Sequence, residues 1–245
     1  MIQRPRTLAA ALAAAALIAA SGCQSTQDKA KEVQAEGAAL VASQKPLAIP
    51  KQNPDVKVLG TTLLSDENGS AVVVQLQNTG KETQVGVPIL VDVRDAKGKS
   101  VFRNDAFGLD FALNHVPVIE PGQTVYWVND QVLATGDVKS AKVKVGLPEG
   151  EAPAELPEID VQNPNLRSDP SGTQAEGNVE NKSNVDQHQL ILFAVATRGG
   201  RVVAAGRGAL KKLLAGSKPG HYIIFFIGDP TGADVTVTAP PAEVG

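Results

Sequence analysis

Cysteine is almost missing from this sequence: one residue, Cys23, in 245. An internal disulfide is therefore impossible. Aromatic residues are scarce as well, at 4%, with six Phe, two Tyr and one Trp. A ring-lined sugar cleft has little to draw on. There is no excess of base: 23 Lys and Arg stand against 26 acids, a net charge of −3. That argues against nucleic acid as a partner. No apolar run reaches the ~20 residues that a membrane-spanning helix needs. What is present is 42% hydrophobic and 20% charged, unlike a disordered chain. The length suits one large or two small domains.

The first residues read as an address. Arg4 and Arg6 form a basic start, and Leu8 to Ala20 is an unbroken apolar run of the size usual for a secretory signal, ~7–15 residues. Ala20-Ser21-Gly22 then offers small residues before the lone Cys23. This stretch resembles the lipobox of bacterial lipoproteins, with Ala20 where that family usually has Leu. The resemblance implies cleavage before Cys23, lipidation of its thiol, and a membrane anchor there. Two or three acyl chains hold a protein firmly where one does not. Gln24 in place of Asp implies the outer membrane in a double-membrane bacterium; otherwise the anchor is on the outer face of the plasma membrane. Cleavage removes Arg4 and Arg6 but no acid, leaving 21 bases against 26 acids, a net −5. Such a body is mildly repelled by anionic lipid.

Residues 1–22 are thus the expected signal, and 23–54 a lipidated flexible tether ending in Pro46, Pro50 and Pro54. From Asp55 the texture changes. Val85, Val87, Ile89, Val91 and Val93 alternate with Gly86, Pro88, Leu90 and Asp92, the period of a strand with one buried face. Asp95-Ala96-Lys97-Gly98 reads as a hairpin turn and Pro121-Gly122 as another. Val125–Leu133 and Val138–Val145 are further strands. The expectation is all-β: an antiparallel sandwich over 55–147, a Pro-rich linker over 148–172, and a second sandwich over 173–240.

The second unit repeats landmarks of the first. Asn78-Thr79-Gly80 matches Asn181-Lys182-Ser183, Gly98 matches Gly200, and Pro121-Gly122 matches Pro219-Gly220. Ile191, Phe193 and Val195 are set against Ile89, Val91 and Val93. These matches imply an internal duplication. Gly208–Ser217 reads as a helical turn or irregular crossover, and His221–Ile227 as a strand buried on both sides. A strand ending in Asn, a long alternating strand, the Asp95–Gly98 turn and Pro-Gly before another strand resemble the FxLYD-type domain of bacterial envelope proteins. Phe193 keeps the Phe of that motif and Asp95 its Asp. The resemblance implies two tandem immunoglobulin-like β-sandwiches and brings no catalytic residues with it.

Chemistry-bearing groups are sparse. His115, His188 and His221 show no metal-ligand spacing. Asp92, Asp95, Asp105 and Asp110 cluster, but without a calcium-loop pattern, and they read as solvated turn carboxylates. No G-x-S-x-G occurs. Arg207, Lys211, Lys212 and Lys218 form the one basic group. Tyr126 and Trp127 are neighbours on a strand and face opposite ways, so one enters the core and the other is an interface candidate. No cofactor and no catalytic residue is implied. The expectation is a non-enzymatic envelope lipoprotein that contacts an envelope protein or glycan, with Tyr126, Trp127, Arg207, Lys211 and Lys212 as the candidate surface. The alternative is a solute- or glycan-binding lipoprotein with its site between the two β units.

Overall fold

In the computed structural model, residues 46–134, 138–169 and 172–245 are described. The signal stretch, Cys23 and the tether to residue 45 lie outside them. The first half contains β1 (Val56–Asp66), β2 (Gly69–Asn78), β3 (Gln84–Arg94), β4 (Ser100–Arg103), β5 (His115–Ile119), β6 (Thr124–Asn129) and β7 (Ser140–Val145). The second contains β8 (Ile159–Asp169), β9 (Gly172–Asn181), β10 (Gln187–Arg198), β11 (Arg201–Leu213), β12 (Gly220–Phe225), β13 (Ile227–Gly228) and β14 (Asp234–Thr238). The fold is all-β, and every strand pairing is antiparallel.

Each half is a sandwich. In the first, the β2 sheet (β1-β2-β6) faces the β3 sheet, in which β3 pairs β5 and β4 along one side and β7 along the other. In the second, the β9 sheet (β12-β9-β8) faces the β10 sheet (β13-β11-β10-β14). The duplication is visible residue by residue. Val56 and Ile159, Gly69 and Gly172, and Gln84 and Gln187 open equivalent strands, each pair 103 apart. Farther on the spacing falls to 94: Arg94 pairs Ser140 as Thr197 pairs Asp234. The difference lies where β4 and β5 are separate strands in the first copy. In the second they are one strand, β11.

Asn78 and Asn181 show why a strand-end asparagine marks both copies. Asn78 Nδ2 donates to Glu82 O at 2.8 Å and Ile119 O at 3.0 Å, while its Oδ1 accepts from Gly80 N–H at 2.9 Å. Asn181 Nδ2 donates to Val185 O at 2.8 Å and Leu213 O at 3.0 Å, and its Oδ1 accepts from Ser183 N–H at 3.0 Å. Each side chain caps a chain reversal and ties it to the facing sheet, satisfying buried carbonyls that no strand reaches.

The expected turns are present. Gly98 has φ +78°, its N–H donates to Asp95 O at 3.0 Å, and Asp95 Oδ1 accepts from Lys97 and Lys99 N–H. Gly122 has φ +75° in the Pro121-Gly122 turn.

Several expectations need correction. The segment 148–172 is not only a linker, because β8 occupies its second half. Pro164 hid that strand, but β8 is the edge of its sheet, and the ladder is broken by a bulge between Gln162 and Asn165, where Asn163 has φ +50°. An edge bulge tolerates proline. Gly208–Ser217 holds no helix: β11 runs on to Leu213. Its glycines are required by close packing, since a Cβ on Gly208 would lie 2.8 Å from Ile224 Cγ1. The strand after Val125 stops at Asn129, whose Oδ1 accepts from Gln131 N–H. β3 is buried along both faces, not one. The end of the tether is packed: Asn53 is buried, its Nδ2 donates to Gln84 Oε1 at 3.0 Å, and its N–H donates to Val145 O.

The alignment of Ile191, Phe193 and Val195 with Ile89, Val91 and Val93 is off by one residue. At the true spacing, Leu190, Leu192, Ala194 and Ala196 stand where Val87, Ile89, Val91 and Val93 stand. They fill the core of the second sandwich together with Ala175, Val179, Tyr222 and Ile224. One step along a strand reverses the side chain. Ile191, Phe193 and Val195 therefore point out of their own sandwich, and they join the first sandwich's core cluster with Val73, Trp127 and Val128. The two sandwiches belong to one compact unit, Pro46–Gly245.

Candidate functional site: the seam between the sandwiches

The seam is built by alternation on β6. Trp127 turns into the first core, where it is fully buried and Nε1 donates to Ala112 O at 2.9 Å and His115 O at 3.1 Å. Tyr126, Val128 and Asp130 turn the other way, toward the β10 sheet. Of the sequence's two interface candidates on β6, Trp127 is a core residue and Tyr126 is half-buried at the seam.

Arg207 lies at the same place. Its side chain is 8% exposed, its N–H donates to Asp130 Oδ2 at 2.9 Å, and its Nε donates to Asp130 Oδ1 at 3.1 Å. Arg207 thus parts from the basic group in which the sequence placed it. Lys211, Lys212 and Lys218 remain exposed. At the same end of the seam Asp66 Oδ2 accepts from Gly228 N–H at 2.7 Å.

Away from these anchors, where β5 and β6 meet β14, lies a groove of about 610 Å³. Val116, Pro117 and Val118 of β5 form one wall with Tyr126, and Thr236 and Thr238 of β14 form another with Pro240 and Pro241. Phe193 forms part of the floor, and Leu156 and Pro157 of the connecting segment close one side. The prolines bring no N–H donors, so the walls are mainly apolar. A second hollow, about 680 Å³, is bordered by Asp66, Glu67, Asp130, Asp229 and Phe225. Three of its acids already have partners: Asp66 on Gly228, Asp130 on Arg207, and Asp229 on the Thr231 N–H. Hydrogen bonds from Thr231 hold the Asp229 carboxyl below the ordinary range.

The other singled-out groups are occupied locally. Burial pushes the Asp92 carboxyl up, but hydrogen bonds from Ser100 and Arg94 and the charges of Arg94 and Arg103 outweigh it, and the net shift is downward. Asp105 pairs with Arg103 at 2.7 Å. Asp110 accepts from Ala112 N–H at the start of the 3-10 turn Phe111–Leu113. His115 is buried and stacked on Phe111 with ring centroids 4.1 Å apart. Its Nδ1 is 2.6 Å from Asn114 Oδ1, and its Nε2 is 3.4 Å from Glu149 Oε2. His188 pairs with Glu243 at 3.0 Å, and His221 is exposed on β12. Among the described residues no three His, Cys, Asp or Glu side chains stand together as a metal site.

Two polar residues passed over in the sequence reading hold irregular backbone in place, Gln187 beside the groove and Asn104 inside the first sandwich. Gln187, fully buried, accepts at Oε1 from Ala242 and Glu243 N–H and donates from Nε2 to Glu243 O, which fixes the C-terminal segment beside the groove. Asn104, also fully buried, donates to Ile89 O and Leu113 O and accepts from Val91 N–H. It fills the gap between β4 and β5. A buried amide reveals such a role only through its partners, and those are 9 to 56 residues away. No family model matches the chain, and no curated protein matches it.

Proposed function

We propose that this chain is a lipid-anchored protein of the bacterial cell envelope whose body acts as a non-enzymatic interaction or spacer module. The N-terminal stretch ending at Cys23 supports the anchor, and the resemblance to bacterial lipoproteins supplies the address. The observation that carries the module reading is the seam. Two copies of one sandwich are joined through Phe193, Val128 and the Arg207–Asp130 pair into a continuous β body. Such a body keeps a fixed spacing between its two end faces, which suits a spacer or an adaptor. The test is in-cell crosslinking of the native lipidated protein followed by mass spectrometry, with Cys23→Ala as the anchoring control. One envelope protein captured reproducibly, and only from the anchored form, supports the adaptor reading. Equal capture from Cys23→Ala contradicts the role of the anchor.

The groove favours a second reading, a binder of small solutes or glycans. Its volume lies within the usual range of ligand pockets, ~300–1,000 Å³, and Tyr126 supplies one ring with a polar tip. A rise of several degrees in the thermal transition with a glycan or solute panel supports it. Loss of that rise in Tyr126→Ala places the ligand in the groove.

A further inference from the structure

We infer that the free edge of β1 is a self-association site, and that it pairs antiparallel with β1 of a second copy of this chain about a two-fold axis. β1 is the edge of its sheet and pairs β2 alone. Among the described residues, no backbone N–H or C=O of Lys57–Asp66 bonds to anything beyond β2. The outer row of backbone groups is thus a template for another strand.

Proteins guard such edges with Lys, Pro, bulges, shortness or a cover. The other edges of this chain are guarded. β4, β13 and β14 have only four, two and five residues. β5 holds Pro117, and β8 holds Pro164 beside its bulge. β7 carries Lys142 and Lys144. β6 borders the groove that β5 walls. β12 is covered by β11, where a Cβ on Gly206 would run into Phe225 O. β1 is different. Its one bulge lies at Leu59, and from Val58 to Ser65 it has neither a charge nor a proline. Val58 and Leu59 are apolar and 41% and 50% exposed. Such a stretch favours strand pairing.

The sequence of that edge commits it to its own kind. The register that uses the whole unbulged stretch, Gly60–Asp66, sets Leu63 opposite Leu63 of the second copy. Residues directly opposite in an antiparallel pair share a face. On the core side Thr61 then meets Ser65, a hydroxyl pair. On the other side Thr62 meets Leu64, and Gly60 meets Asp66. No like charges stand opposite, and the only charged residue faces the one position without a side chain. The same patch serves both partners, an isologous contact that closes as a dimer. The two three-stranded sheets become one of six strands, with the two copies of β1 at its centre. This goes beyond the interaction-module reading and does not depend on lipid at Cys23.

The test uses the full chain in intact cells with the photoreactive residue p-benzoylphenylalanine in place of Leu59. The expected result is a homodimer and no higher species, with crosslinked peptides that carry Asp66, Glu67 or Asn68 of the second copy. Thr61 and Ser65 are exposed, so charges placed there test the register. Thr61→Lys with Ser65→Lys sets like charges opposite and reduces the dimer at least tenfold. Thr61→Lys with Ser65→Asp sets opposite charges there and restores it. Each double variant keeps the parent's thermal transition. Monomer alone, a ladder beyond the dimer, or equal dimer yield in the two double variants overturns the inference. Capture of a different envelope protein in place of the dimer also overturns it, while leaving the interaction-module reading standing.

Discussion

Arg207 and Asp130 are joined by two hydrogen bonds across the seam, and the arginine side chain has almost no access to water. Removing one member of such a pair strands the other. Asp130→Ala is expected to cost about 3–5 kcal/mol, because a buried guanidinium loses its counter-charge. Replacing both, Asp130→Leu with Arg207→Met, is expected to recover most of that loss, since the desolvation cost goes with the charges. Urea denaturation at neutral pH measures both. A single-variant loss well under 1 kcal/mol would show that the guanidinium finds water when Asp130 is gone.

Asn78 and Asn181 make the same three hydrogen bonds in the two copies. Each replacement by Ala leaves buried carbonyls without donors, at a cost of about 2–3 kcal/mol. The Asn181 loss is expected to be the larger by no more than about 1 kcal/mol, for the additional bond from Ser183 Oγ. Asp at either position keeps the acceptor for the turn N–H but removes both donors, so Asn78→Asp is expected to resemble Asn78→Ala more than the parent. A wider gap in paired denaturation curves would mean that the copies differ in strength beyond the one extra bond that Asn181 Oδ1 accepts from Ser183 Oγ at 2.7 Å.

Strands β3, β6 and β7 of the first copy, its two turns and the existence of a repeat were legible because they rest on local signals: alternation, Gly at positive φ, and Asn at a strand end; β1, β4 and β5 carry no such pattern and were not expected. The register of the repeat was not. Leu190 to Ala196 is apolar at every position, so alternation gives no way to choose which face belongs to which core, and the choice that looked natural was one residue off. β8 was hidden because Pro164 and Asn163 read as linker, although an edge bulge accepts both. β12 read as doubly buried because Ile223 and Phe225 are apolar, yet they point outward. The placing of Arg207 at the seam was invisible for a simpler reason: its partner, Asp130, lies 77 residues away.

Phe193 belongs to one sandwich by sequence and to the other's core cluster by contact. The Phe193→Ala substitution is expected to cost about 3–5 kcal/mol, as for other buried Phe truncations. The more telling readout is cooperativity. Because the cluster is continuous across the seam, parent and variant are each expected to unfold in one transition by calorimetry, at a lower temperature in the variant. Two resolved transitions in the parent would show that each sandwich unfolds separately and that the seam contributes little.

His115 contributes to the acid side of the stability curve. Burial lowers its pKa below the ordinary 6.5, and Glu149 only partly opposes this. The unfolded chain therefore binds a proton at a pH where the folded chain does not. The stability His115 contributes is complete above about pH 6.5 and is lost as pH falls through the unfolded value toward the folded one. Asp92, Asp160 and Asp229 have lowered values, so their contributions fade only as pH falls through the carboxylate range near 4 and below. The urea midpoint is expected to fall between pH 7.5 and pH 5.5 in the parent and to stay level in His115→Gln, which cannot take up the proton. An equal fall in both would move the acid sensitivity away from His115 and onto groups outside its contact with Phe111, Asn114 and Glu149.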